Sequence, residues 1–386
     1  MDFQLNAEQV LLRDSLAGFL ADRYDLARSR EAATSAEGWQ PGVWRAFAED
    51  LGVLGVALPA DAGGSGGGPV EVSVVAEELG RALVIEPFVD TVVLGGGVLR
   101  RAEAIDLLTG IGAGTVRIAP ALLEPGSAHT AHDVAVTAHV DDGGWKLTGE
   151  KTVVTGVRFA THLLLSARTA GEQRDHDGIS LFLVPFDAAS PPDGLRVHGY
   201  RTIDDRHAAD LVLDGLRVPG DGLLGVRDRG WDLLGPALDE TVAAICAEAV
   251  GCLRRILADT VAYAKERRQF GQPIGSFQVL QHRMVDMHIE VEQAAAAALL
   301  ATLRLEDGPC ERARAVAAAK VTVSRAARFV GQNAVQLHGG MGMSQELAVG
   351  HYFKRLTAIE YEWGASDQHR SRYTGLSRAT GVTPAE

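Results

Sequence analysis

The sequence predicts an α+β fold in three successive regions: a helical one, a β-rich one with an antiparallel pattern, and a bundle of long helices. Three observations carry this. Apolar residues first recur at helical spacing, then alternate with a period of two, then return to helical spacing in long segments nearly free of Pro and Gly. At 386 residues the chain exceeds one ordinary core, so two or three domains are expected. The boundaries read as 1–117, 118–225 and 226–386.

In the first region Asn6 and Gln9 have the spacing of a capping pair. Leu5, Leu12, Leu16, Phe19 and Leu20 lie near one helical face, and Trp44, Phe47, Leu51 and Leu54 continue the pattern. The stretch DAGGSGGGPV, Asp61 to Val70, invites a phosphate-cradle reading. It lacks the Lys-Ser/Thr ending of a P-loop and follows no convincing strand, so it reads as a turn between helices. A further helix is expected from Glu71 to Ala82.

In the second region HDVAVTAHV alternates, and DDGG turns the chain into WKLTGEKTVVTG as a hairpin. LLLSART, GISLFLVPF and ADLVLDGLRVP continue as short strands. In the third region, long helices broken at GQP and EDGP favour an antiparallel bundle. No internal repeat is visible.

Composition excludes several classes. The chain is 46% hydrophobic and 23% charged, too apolar for general disorder. A formal net charge of −13 argues against a dedicated nucleic-acid binder, which needs clustered Lys and Arg. No signal pattern opens the sequence, and its longest apolar run, Ala294 to Leu303, is too short to span a bilayer. A cytoplasmic protein with no membrane partner is expected. Cys246, Cys252 and Cys310 have no metal spacing and read as inert thiols.

Two stretches carry chemistry. In ERRQFGQPIGSFQ, Glu266 to Gln278, two arginines end a helix before an aromatic and a proline turn. Their plain reading is a C-terminal cap that suits the helix dipole, and their sharper one is a forked phosphate clamp. In NAVQLHGGMG, Asn333 to Gly342, the double glycine is a helix stop that also lets a ligand approach the backbone. Gln336 offers a donor and an acceptor there, while His338 reads as a structural histidine.

Together with HYFKRL, PADAGGSGGGPVEVSVVAEELGRAL, LTGEKTVVTG, GISLFLVPF and LRVPGDGLLG, all in order, these stretches make nearly the whole chain resemble the acyl-CoA dehydrogenase family. The resemblance implies an N-terminal helical domain, a central antiparallel β-barrel-like domain and a C-terminal four-helix bundle. It implies FAD, an acyl-CoA substrate oxidised across its α–β bond, and an electron-transfer flavoprotein as acceptor. In that family each FAD lies across a subunit interface. The neighbouring subunit's share matches Arg267, Phe270, Gln278, Gln336, Gly339 and Gly340 here. The owning subunit supplies a Thr-Glu-Pro loop, a Trp-x-Thr pair and a glutamate base.

The donated share is intact and the owned share departs from the pattern. The loop reads Leu123-Glu124-Pro125-Gly126-Ser127, shortened against the family's. The flavin-facing Trp position is Val153, although Thr155 remains. The base position holds Trp363, before Gly364 and Ala365. Some relatives place the base on the helix after the β domain, where Thr241 stands beside Glu240. An indole cannot abstract a proton, and losing a general base typically costs on the order of 10² to 10⁴ in rate. Glu362 and Glu240 are the tentative substitutes, each displaced by one residue, which on a helix turns the side chain by roughly 100°. The pattern fits the small, base-lacking subunit of a heteromeric bacterial acyl-CoA dehydrogenase of pimeloyl-CoA or steroid side-chain type, with self-association as the alternative. Flavin oxidases or hydroxylases of the same fold, and a flavin-free structural subunit, also remain open.

Overall fold

The computed structural model describes residues 4–35 and 37–379. Helices α1 (Ala7–Arg23), α2 (Leu26–Thr34), α3 (Pro41–Glu49), α4 (Pro69–Arg81), α5 (Gly96–Arg101) and α6 (Ile105–Gly112) come first. Strands β1 (Ile118–Ala121), β2 (Thr137–Asp141), β3 (Gly144–Thr155), β4 (His162–Arg168), β5 (Ile179–Pro185), β6 (Leu195–Arg201), β7 (His207–Pro219) and β8 (Leu223–Leu224) follow. Then come α7 (Gly230–Glu266), the short strands β9 (Arg268–Gln269) and β10 (Gln272–Pro273), α8 (Gln278–Leu303), α9 (Pro309–His338), α10 (Ala348–Tyr361) and α11 (Ser366–Ala379). No helix among the described residues is long and apolar enough to cross a membrane.

The chain divides into two compact units. The first comprises Met1–Leu26, Pro69–Val84 and Val242–Glu386. Its helix α1 starts on a full capping box: Asn6 Oδ1 accepts the Gln9 N–H at 2.8 Å, and Gln9 Oε1 accepts the Asn6 N–H at 3.0 Å. Helix α4 meets α7 backbone to backbone. A Cβ on Gly80 would stand 2.0 Å from the Glu248 carbonyl oxygen, and one on Gly251 would stand 1.9 Å from that of Glu77. Only glycine permits that approach. Helix α9 buries Ala313, Val316, Ala317, Val323, Ala327, Val330 and Ala334, small side chains at helical spacing that let neighbouring helices pack closely.

The second unit comprises Ala27–Gly68 and Ile85–Thr241. Its sheet runs in the order β6-β7-β3-β2-β4-β5-β8. The pairing is mainly antiparallel, as the alternating runs predict, but β1 lies parallel to β4. The long excursion between those two strands is what permits a parallel pair. One face buries Leu147, Leu163, Leu165, Phe182, Leu211 and Leu213. Strand β3 carries two irregularities against β7, between Leu147 and Thr148 and between Lys151 and Val154. Before α5 the chain makes a π-helical turn, Val89–Gly95, an uncommon form often found near functional sites.

Candidate functional site

Helix α10 ends at Tyr361, and the segment holding the expected base position follows it directly. Trp363 has φ +54° and Gly364 has φ +111°. A bulky residue in the left-handed region is strained and persists only where its surroundings fix it. Here they do. Lys320 is fully buried and donates to the carbonyls of Ile359 at 2.5 Å and Glu362 at 2.6 Å. His369 Nε2 meets the Trp363 carbonyl at 3.0 Å, and Gln368 Oε1 accepts the Ala365 N–H at 2.8 Å. A Cβ on Gly364 would strike His369 Nε2 at 2.7 Å, so the glycine after the tryptophan is required. Burial pulls the Lys320 ammonium down to about 8 and the His369 imidazole down to about 4.

The carboxylates around this turn are held by arginines. Arg355, itself buried, donates to Glu248 at 2.7 and 3.0 Å on one side and to Glu362 at 3.0 Å on the other. Arg328 Nε reaches Glu360 at 3.3 Å, and its Nη2 makes a second bond to the same carboxylate. In the second unit Glu240 accepts from Arg100 at 2.8 Å and from Arg101 at 2.7 Å. Both tentative bases, Glu362 and Glu240, therefore sit in ion pairs. A substrate proton would have to compete with these guanidinium donors for either carboxylate. Thr241, beside Glu240, is buried and donates to the Ala237 carbonyl at 2.7 Å.

The residues matched to the family's donated share all lie on the first unit and are exposed. Strands β9 and β10 form a tight hairpin with Phe270 and Gly271 at its tip, both at positive φ. Phe270 is 91% exposed. Arg267, Gln278, Gln336, Gly339 and Gly340 are likewise exposed. Nothing lies within 4 Å of where a Cβ on Gly339 or Gly340 would stand, so backbone there is open to a ligand. His338 is buried, stacks on Tyr263 with ring centroids 4.3 Å apart, and bonds through Nδ1 to the Ala334 carbonyl at 2.8 Å. That is the structural role its sequence context predicts.

In the second unit the end of β3 is shaped by an aspartate that sequence reading missed. Asp210 Oδ1 accepts from Thr152 Oγ1 at 2.6 Å, the Val153 N–H at 3.1 Å and Tyr200 Oη at 3.0 Å. Burial works against its charge, but these donors prevail and hold the carboxyl below its usual range. Val153 is thereby kept at φ +52°. Two residues on, Thr155 Oγ1 donates to Asp90 Oδ2 at 2.6 Å. Asp90, a lone acid within the apolar run FVDTVVL, was the available signal. The shortened loop has a structural use: Glu124 is buried and accepts from Lys151 Nζ at 2.6 Å and from the Ala135 N–H at 2.6 Å. Lys151 also donates to Ser166 at 2.9 Å, and burial lowers its pKa. No cluster of three or more metal-ligating side chains occurs among the described residues.

The exposed arginine–phenylalanine hairpin and the double-glycine helix end are the stretches on which the sequence resembles the acyl-CoA dehydrogenase family. The comparisons agree. The models of the acyl-CoA dehydrogenase N-terminal, middle and C-terminal domains match residues 6–99, 119–216 and 228–374. The chain belongs to the acyl-CoA dehydrogenase family, whose members are FAD-dependent oxidoreductases acting on CH–CH bonds. It is 29% identical to the probable acyl-CoA dehydrogenase YngJ of Bacillus subtilis over 96% of this chain and 98% of that one. Among solved structures it is similar to the Tcur3481–Tcur3483 steroid ACAD, with 31% identity, a TM-score of 0.86, and coverage of 97% and 99% of the two chains. It is also similar to the ChsE4–ChsE5 complex of Mycobacterium tuberculosis, with 27% identity, a TM-score of 0.86 and full coverage of both chains.

Proposed function

We propose that this chain is one subunit of an FAD-dependent acyl-CoA dehydrogenase and works beside a related subunit that carries the base. The observation that carries this reading is one-sided. The donated residues stand exposed, while the base position holds a clamped Trp363 and the nearby carboxylates are bound to arginines. The similar solved structures Tcur3481–Tcur3483 and ChsE4–ChsE5 each pair two chains, which supports a two-subunit unit here.

In this reading Arg267 presents its guanidinium fork to a pyrophosphate, Phe270 offers an aromatic face, and Gln278 and Gln336 offer amide groups. Gly339 and Gly340 let the cofactor approach the backbone. FAD, when bound, supplies the two-electron acceptor for the substrate's β-hydrogen. The substrate is an acyl-CoA bulkier or more polar than a simple fatty acyl group, and an electron-transfer flavoprotein takes the electrons onward. The test is co-expression with a related acyl-CoA dehydrogenase chain that keeps the glutamate, followed by native mass measurement and flavin counting. A complex with one FAD per two chains is expected. A homotetramer with one FAD per chain and full acyl-CoA dehydrogenase activity would refute the proposal.

A further inference from the structure

We infer that Asp90 disarms Thr155 and so keeps oxidised FAD off this chain's own half of a cofactor site. The inference rests on the flavin reading above and adds a residue to it. A hydroxyl has one proton, and an ionised carboxylate can only accept. With Thr155 Oγ1 donating to Asp90 at 2.6 Å, that proton is committed, and Thr155 has only lone pairs left for a ligand. The polar edge of an oxidised flavin is mostly acceptors: two carbonyl oxygens and unprotonated ring nitrogens, against one N–H. Acceptor would face acceptor.

The backbone that carries Asp90 is held in place. Asp90 rides on the π-helical turn Val89–Gly95, which is pinned to β1 at the next residue. Thr91 Oγ1 accepts the Ile118 N–H at 3.0 Å and donates to the Ile118 carbonyl at 3.3 Å. Further along the turn, a Cβ on Gly95 would stand 2.6 Å from Ile118 Cδ1, so the turn lies tight on that strand. Thr155 is fixed from the other side by its pairing with Ala208 of β7. The cavity whose lining includes Pro87, Asp90, Thr155, Phe159, Arg206 and His207 holds about 20 Å³, room for a water and not for a ring.

The experiment counts FAD per chain in the complex purified from co-expression. Four forms are compared: the natural chain, Asp90→Ala, Thr155→Val and the double variant, each checked for an unchanged thermal midpoint. The natural complex should hold one FAD per two chains. Asp90→Ala should raise this toward one per chain, with the added sites binding FAD up to about tenfold tighter than before, the effect of one neutral hydrogen bond. In the Thr155→Val background the same change should add nothing, because the gain runs through the freed hydroxyl. An unchanged count in Asp90→Ala overturns the inference alone, and so does an equal gain in the double variant. A natural complex with no FAD, or with one per chain, overturns the two-subunit reading and this inference together.

Discussion

Replacing His369 with Gln should flatten the acid limb of this protein's stability. His369 is 5% exposed, and burial pulls its imidazole from an ordinary 6.5 down to about 4. Its Nε2 faces the Trp363 carbonyl, an acceptor, so the neutral ring must carry its proton there. Because the folded value lies below the unfolded one, the unfolded chain takes up a proton first as the pH falls. The stability that the neutral ring contributes is complete above about pH 6.5 and is lost as the pH drops from there toward 4. A gap of about 2.5 (6.5 less 4) at about 1.36 kcal/mol per pH unit gives about 3 kcal/mol in all, of which about 2.5 kcal/mol is gone by about pH 4.5. Gln has no such proton to gain and keeps an N–H for the Trp363 carbonyl. Urea unfolding followed by far-UV circular dichroism at about pH 7 and about pH 4.5 measures the difference. The natural protein should lose about 2.5 kcal/mol more than His369→Gln over that interval. Parallel losses in the two proteins would refute the reasoning.

Other substitutions test other parts of the structure. Arg267→Ala should strip or weaken FAD while the thermal midpoint holds, since Arg267 is exposed; HPLC of the released cofactor that showed FMN alone would undo the assignment. Glu362→Gln should reduce dehydrogenation of a suitable acyl-CoA by less than about tenfold, because Arg355 already occupies that carboxylate. A loss of about three orders of magnitude with normal flavin content would make Glu362 the base after all. Gly251→Ala forces a Cβ to 1.9 Å from the Glu77 carbonyl oxygen and should cost about 1–3 kcal/mol, read as a lower melting temperature. Lys151→Met leaves Glu124 buried without its cation and should cost about 3–5 kcal/mol, so a melt like the natural protein's would show that the pair is dispensable.

Local features were the legible ones. The capping pair Asn6–Gln9, the DDGG hairpin and the helix break at EDGP all depend on near neighbours, and each appears as its residues predict. The hairpin at Phe270 was legible as a motif, but its left-handed tip was not, because phenylalanine gives no sign of positive φ. Pairing across long separations was hidden. Glu248 meets Arg355 across 107 residues and Arg100 meets Glu240 across 140, and a carboxylate's spacing on its own helix says nothing of a distant guanidinium. The parallel seating of β1 depends on where the chain returns after the β2–β3 hairpin, which no periodicity records. Asp90 went unread although it is an acid in an apolar run, because its meaning lies in the π-helical turn that brings it to Thr155.

Lys320 has a chemical consequence apart from its two hydrogen bonds. An amine with a pKa of about 8 is substantially unprotonated at mildly alkaline pH, and an unprotonated amine is what attacks thioesters. Within the folded turn beside Trp363 this amine is partly neutral, a state that burial alone creates. The same burial also shields it, since no part of Lys320 meets solvent. When the turn opens, solvent returns the amine toward its ordinary 10.5 and to the ammonium form, so Lys320 is neutral only where no thioester reaches it.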